Sequence, residues 1–231
     1  MAKHGKKYRK VTENLSADKL FELTEAVEFL KKNAYAKFDE TAEIAFRLGV
    51  DPSKSDQAVR GSVSLPHGSG KDIRVVVFAS GPAADAAREA GADEVGFQEV
   101  IDKVKGGWVD FDIAIATTDA MAEVRKLGKV LGPRGLMPNP RNGTVTEDTA
   151  AAVKQFKAGR VEFKMDKAGN VNIPFGKLSF ETAMLEENGK AVIASVMAAK
   201  PNAIKGVYVK KCTVSSTMGP GLPLEARELN T

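Results

Sequence analysis

The chain has 231 residues, 43% of them hydrophobic and 28% charged, with a formal net charge of +4. This is the composition of an ordinary globular protein, forming one large domain or two small ones. No stretch approaches the roughly 18 to 20 apolar residues of a membrane span. The basic start, Met1 to Lys10, runs into polar residues rather than the apolar core of a secretory signal. A soluble protein with no membrane partner and no export is therefore expected. Cys212 is the single cysteine, and His4 and His67 are the two histidines. That set makes no internal disulfide and no closed zinc site, so we expect a reducing cytoplasm and no metal or other cofactor.

Charge is unevenly placed. Residues 69–159 hold 12 Lys+Arg against 13 Asp+Glu, a net of −1, which leaves 22 against 17, or +5, for residues 1–68 plus 160–231. Lys3, Lys6, Lys7, Arg9 and Lys10 supply all of that excess, so the amino terminus reads as a flexible, polyanion-seeking arm. By itself such a tail identifies no site.

A helix is expected to end near Ala34. From Thr41 to Val50, Ile44, Phe46, Leu48 and Val50 alternate with Glu43, Ala45, Arg47 and Gly49, the period of a half-buried strand. Val59, Gly61, Val63 and Leu65 repeat the alternation and stop at Pro66-His67-Gly68-Ser69-Gly70, a turn-forming cluster read as a first hinge. The character then changes. Ile73 to Ala79 is a nearly continuous apolar strand, and Pro82 to Ala90 is an alanine-rich helix closed by Gly91. Strands at Val95–Phe97 and Phe111–Ala116 alternate with helices at Gln98–Lys105 and Asp119–Val130, which argues for a parallel, helix-covered sheet. After a Pro/Gly-rich loop, Gly132 to Pro140, a helix from about Glu147 to Lys157 ends at Ala158-Gly159, the second hinge. Val161–Met165 and Val171–Phe175 then flank Asp166-Lys167-Ala168-Gly169-Asn170, which predicts a hairpin. A long amphipathic helix from about Ser179 to Ala199 and a strand from Gly206 to Ser216 complete the outer layer.

Neither outer segment holds enough elements to close a sheet, so their union is expected. The predicted fold is mixed α/β and α+β in two domains: a discontinuous two-layer α+β domain, residues 1–68 plus 160–231, and an inserted α/β domain, residues 69–159.

An α/β insert invites nucleotide chemistry, but the phosphate-binding signatures fail. Gly68-Ser69-Gly70-Lys71 resembles the end of a Walker loop, yet Asp72 stands where Ser or Thr should hold magnesium, and Leu65 replaces the leading glycine. Gly128, Gly132 and Gly135 have the wrong spacing for a dinucleotide loop and follow a helix instead of opening one. His67 reads as a solvated turn residue, and Asp110 with Asp112 and Glu186 with Glu187 read as solvated charge. No catalytic constellation is visible.

Two segments carry binding chemistry. Lys37-Phe38-Asp39-Glu40-Thr41 places a cation, an aromatic ring and a hydroxyl at a loop-to-strand junction, suited to phosphate, base and ribose 2′-OH. The same Phe38 also reads as a cap on the core. Ser215-Ser216-Thr217-Met218-Gly219 ends the last strand, with Lys205, Lys210 and Lys211 upstream and no acidic residue from Lys190 to Leu224. Its bland reading is a serine-rich strand end entering a disordered tail.

Five segments together carry a family likeness: Lys37 to Thr41, Ser64-Leu65-Pro66-His67-Gly68, Gly91-Ala92-Asp93, Leu131-Gly132-Pro133-Arg134-Gly135-Leu136-Met137-Pro138-Asn139-Pro140, and Ser216-Thr217-Met218-Gly219-Pro220. In this order they resemble bacterial members of the L-one family of large-subunit ribosomal proteins. The resemblance implies that the outer domain binds stem-loops of large-subunit ribosomal RNA, forming the mobile stalk beside the transfer-RNA exit site and assisting release of deacylated tRNA. It further implies a Rossmann-like, three-layer auxiliary lobe, a protein monomeric when free and cytoplasmic on the ribosome, and repression of translation through its own mRNA leader. The contact residues it implies are Lys37, Phe38, Thr41, Lys164, Lys167, Thr217, Met218 and Gly219, with Ser215 and Ser216 as weaker candidates. Gly221 to Thr231 receives no RNA role. Leu131 to Pro140 reads as a rigid turn from which Arg134 and Arg141 could reach RNA.

Overall fold

The computed structural model of the chain describes residues 5–13, 15, 19–204 and 206–225. Lys3, Lys205, His4 and Glu228 lie outside the described residues. In chain order the elements are α1 (Lys6–Thr12), α2 (Leu23–Lys32), β1 (Thr41–Leu48), β2 (Arg60–Ser64), β3 (Val75–Phe78), α3 (Pro82–Glu89), β4 (Glu94–Gly96), α4 (Gln98–Lys105) and β5 (Ile113–Ala116). There follow α5 (Met121–Val124), α6 (Gly128–Leu131), α7 (Thr149–Lys157), β6 (Arg160–Lys164), β7 (Asn170–Lys177), α8 (Thr182–Ala198), β8 (Val209–Ser216) and β9 (Leu222–Leu224). They form a mixed α/β protein with three sheets, of two, three and four strands. The chain divides into two compact units, Met1–Gly70 with Val161–Thr231, and Lys71–Arg160.

In the first unit the four-stranded sheet runs β7-β1-β8-β9, with β1 antiparallel to both β7 and β8. Both partners of this early strand come from the far end of the chain, so backbone hydrogen bonds hold the discontinuous unit together. Alternation decides its faces. Ala42, Ile44, Phe46 and Leu48 are buried, with Val27 and Leu30 of α2 and Leu185, Val192 and Val196 of α8 in the same apolar core. The opposite face is left open. Across it, Glu43 stands between Pro174 and Ser215, Ala45 between Asn172 and Thr213, and Arg47 between Asn170 and Lys211.

Asn188 shows how polar groups are admitted to this core. Its side chain is fully buried; it donates to the carbonyls of Gly68 (3.0 Å) and Phe175 (2.9 Å) and accepts from the His67 N–H at 3.1 Å. The turn at Pro66–Gly70 is thereby clipped onto α8. Asn188→Ala leaves the buried Phe175 carbonyl and two part-buried backbone groups unpaired, so we expect a loss of about 2 to 4 kcal/mol in urea unfolding. A loss under about 0.5 kcal/mol, the size of an ordinary surface effect, would show that the clip contributes little.

In the second unit β3 lies between β4 and β5, parallel to both. All four β3 side chains are buried, because successive residues feed cores on opposite faces. Val76 and Phe78 join Val100, Ile101 and Val104 of α4 with Val124, Leu127 and Leu131. Val75 and Val77 join Ala84 and Ala87 of α3 with Val153 and Phe156 of α7. Asp148 caps α7 by accepting from the Ala151 N–H at 3.0 Å, the N-cap interaction expected of an aspartate.

Several expectations need correction. β6 and β7 do not form a hairpin: β6 pairs with β2 and β7 with β1, in different sheets. The intervening turn closes on itself, since Asp166 Oδ1 accepts from the N–H groups of Ala168 and Asn170, and Gly169 takes a φ of 82°. Such an Asx turn is satisfied locally and does not require the flanking strands to pair. The helix read from Asp119 to Val130 is broken into α5 and α6 by a 3-10 turn at Arg125–Leu127. The amino-terminal arm is helical over Lys6–Thr12. A short strand, β9, pairs with β8 where the sequence suggested only a tail. His67 is not simply solvated, for its Nε2 lies 2.6 Å from Glu187 Oε2.

Candidate nucleic-acid interface

At the start of β1 the two binding segments meet. The residue that joins them is Glu40, to which the sequence alone assigned no role. It is 2% exposed. Its Oε1 accepts from the Ala36 N–H at 3.2 Å; its Oε2 accepts from Ser216 Oγ at 2.6 Å and from the Met218 N–H at 3.1 Å. Burial alone would push this carboxyl up, but the hydrogen bonds from Ser216 and from the backbone of Met218, Ala36 and Tyr35 outweigh it and hold the carboxyl below its ordinary range. Glu40 is therefore a charged clip between a loop before β1 and a loop after β8.

Neighbouring contacts reinforce the junction. The Tyr35 hydroxyl donates to the Met218 carbonyl at 2.6 Å. Thr217 accepts the Thr41 N–H on its Oγ1 at 3.0 Å, while its own N–H donates to the Thr41 carbonyl at 3.1 Å. Lys177 Nζ donates to Thr41 Oγ1 at 2.8 Å. Gly219 is needed for closeness, because a Cβ there would come within 2.4 Å of Ser216 Oγ. From this frame Phe38 projects 56% exposed and Met218 46% exposed. Phe38 is thus not a core cap. An exposed aromatic ring and a thioether mounted on a hydrogen-bonded frame offer a base or ribose an apolar surface to stack on.

Lys37 and Thr217 are also exposed here, and Ser215 lies on the open sheet face opposite Glu43. Ser216 differs, being buried with its hydroxyl committed to Glu40. Lys164 and Lys167 are exposed but stand elsewhere. The turn carrying Lys167 meets the other end of β1, where the Leu48 N–H donates to the Gly169 carbonyl at 2.9 Å. From Thr41 to Leu48 the strand rises about 23 Å. Arg47, Lys211, Asn172 and Thr213 line the open face between these ends, a surface the sequence reading missed. Its signal was the polar half of the β1 alternation.

The amino-terminal helix adds cations to the same place. Lys6, Lys7 and Tyr8 line a cleft with Tyr35, Thr217 and Met218, and Lys7 Nζ lies 5.8 Å from the Tyr35 ring centroid, within cation–π range. Catalytic chemistry finds less. Among the described residues no group of three or more His, Cys, Asp or Glu side chains could hold a metal ion. Cys212 is buried, which pushes its thiol up to about 12, so it is protonated at neutral pH. Among the described residues no helix is long and apolar enough to cross a membrane.

The Ribosomal protein L1p/L10e family matches residues 30–220, a span that includes both segments joined by Glu40. The chain belongs to this family. It is 54% identical over 226 residues to the large ribosomal subunit protein uL1 of Beutenbergia cavernae, covering 98% of this chain and 95% of that protein. Both loops of the candidate interface therefore fall inside the family match, whereas α1 precedes it and β9 follows it.

Proposed function

We propose that the protein binds stem-loops of large-subunit ribosomal RNA at the stalk beside the transfer-RNA exit site, as a structural, non-enzymatic constituent of the cytoplasmic ribosome. The observation that carries the reading is the exposed pair Phe38 and Met218 on two loops clipped by Glu40. Apolar stacking surfaces flanked by Lys37, Thr41, Thr217 and Gly219 suit an RNA recognised by shape, unstacked bases and 2′-hydroxyls. The discontinuous unit is the RNA-binding domain, and the insert is an auxiliary Rossmann-like lobe of three layers. Lys164 and Lys167 contact phosphate further along the same RNA, and Ser215 lies between.

Family membership supports the ribosomal assignment. In the same reading the protein is monomeric when free, assists release of deacylated tRNA from the exit site, and represses its own mRNA leader where that leader mimics the ribosomal site. Titration of the protein against an isolated stalk RNA fragment tests the central claim, and absence of saturable binding would overturn it. Thr217→Ala removes the acceptor of the Thr41 N–H and an exposed hydroxyl together. We expect it to weaken binding to that fragment by about 1 to 3 kcal/mol, the scale of one specific contact, with thermal unfolding little changed. Unaltered affinity would remove Thr217 from the site.

A further inference from the structure

The unit Lys71–Arg160 is electrically neutral, with 13 Lys+Arg against 13 Asp+Glu, but the charges are segregated. Residues 125–141 contain Arg125, Lys126, Lys129, Arg134 and Arg141 and no acid, a net of +5, which leaves 8 against 13, or −5, for the rest of the unit. We infer that this unit carries its own RNA-contacting face, built on the 3-10 turn at Arg125–Leu127, on α6 and on the following loop, which takes the phosphate backbone of duplex ribosomal RNA. The inference rests on the RNA-binding reading above.

Packing fixes the face. Val124, Leu127 and Leu131 are buried in the core that also holds Phe78 and Ile101, with Leu136 and Met137 packed against it. That apolar side leaves Arg125 and Lys129, one helical turn apart, on the exposed side. The loop behind them is held rather than loose. The Leu136 N–H donates to the Leu131 carbonyl at 3.0 Å, the Gly135 N–H to the Gly132 carbonyl at 3.1 Å, and Thr144 Oγ1 accepts from the Asn139 N–H at 2.7 Å. Gly135, at a φ of 73°, turns the chain just after exposed Arg134, three residues beyond the end of α6.

Partners decide which cations are available. Lys126 is paired with Glu123 at 2.6 Å, whereas among the described residues Arg125, Lys129 and Arg134 stand in no ion pair. Gly128 and Gly132 lie between these cations in the chain and carry no side chain to hold a phosphate off. A Cβ at Gly128 would meet nothing within 4 Å. Three uncommitted cations on a preordered surface suit a phosphate backbone, and with no aromatic ring among them they do not read bases. The acidic remainder of the unit repels RNA elsewhere, so that contact is confined to this face.

The test uses the full chain carrying Arg125→Gln, Lys129→Gln and Arg134→Gln together, titrated from roughly 50 to 200 mM salt against a stalk rRNA fragment with its adjoining duplex. We expect the slope of log affinity against log salt to become shallower by roughly 2 to 3, one step per phosphate contact, with the thermal midpoint unchanged. An unchanged slope overturns the inference, and so does a loss seen only in a parallel titration against transfer RNA, which would assign the face to that RNA. If the unsubstituted protein fails to bind the fragment, the RNA-binding reading falls and this inference with it.

Discussion

Glu40→Gln is expected to lower the stability of the protein by about 2 to 4 kcal/mol and its affinity for stalk RNA by at least roughly tenfold. The carboxylate satisfies donors on two loops at once, through Ala36 on one and Ser216 and Met218 on the other. An amide of the same shape has one acceptor oxygen, so its NH₂ group must face a donor with a donor. Both loops loosen together, and they carry Phe38 and Met218, so binding falls with stability. The effect also has a pH signature. Because the folded carboxyl is held below its ordinary value near 4.5, its contribution is fully present above that value and is lost as pH falls through the folded pKa. The stability gap between the parent and the variant should therefore be widest near neutrality and narrow in acid. Urea unfolding at a series of pH values measures it; a gap that is negligible, or constant down to acid, rejects the clip.

The double variant Phe38→Ala with Met218→Ala should behave in the opposite way. Both side chains are about half exposed, so removing them changes unfolding free energy by little, within about 0.5 kcal/mol each. Their stacking surface is lost, at about 1 to 3 kcal/mol per base, and affinity for the stalk fragment should drop at least roughly tenfold. No charge is removed, so the salt slope stays as in the parent. That separates the apolar platform from the cationic face on α6, whose substitution changes the slope. A double variant that binds as tightly as the parent would move RNA recognition away from these loops.

Much of the local structure could be read from residue order because it reports burial directly. Ile44, Phe46 and Leu48 alternate with the more exposed Glu43, Ala45 and Arg47 and are buried in a half-covered strand, while Val75 to Phe78 form an unbroken apolar run and are buried on both faces. The Asp166–Asn170 turn was legible too. Its strand pairing was not, since an Asx turn that satisfies its own backbone is compatible with flanking strands in one sheet or in two. The break between α5 and α6 had no strong signal, because Arg125-Lys126-Leu127 is as good a helix former as its neighbours.

The order of residues by itself determined the family, through motifs spread from Lys37 to Pro220, and determined which strands face a core, because period-two alternation is a local property. Only the tertiary structure decided what those motifs do to one another. It joined Glu40 to Ser216 across 176 residues, set the turn carrying Lys167 at the far end of β1, and committed the Ser216 hydroxyl to the frame. A carboxylate's role depends on which donors folding brings within about 3 Å of it, and neither composition nor spacing along the chain carries that distance.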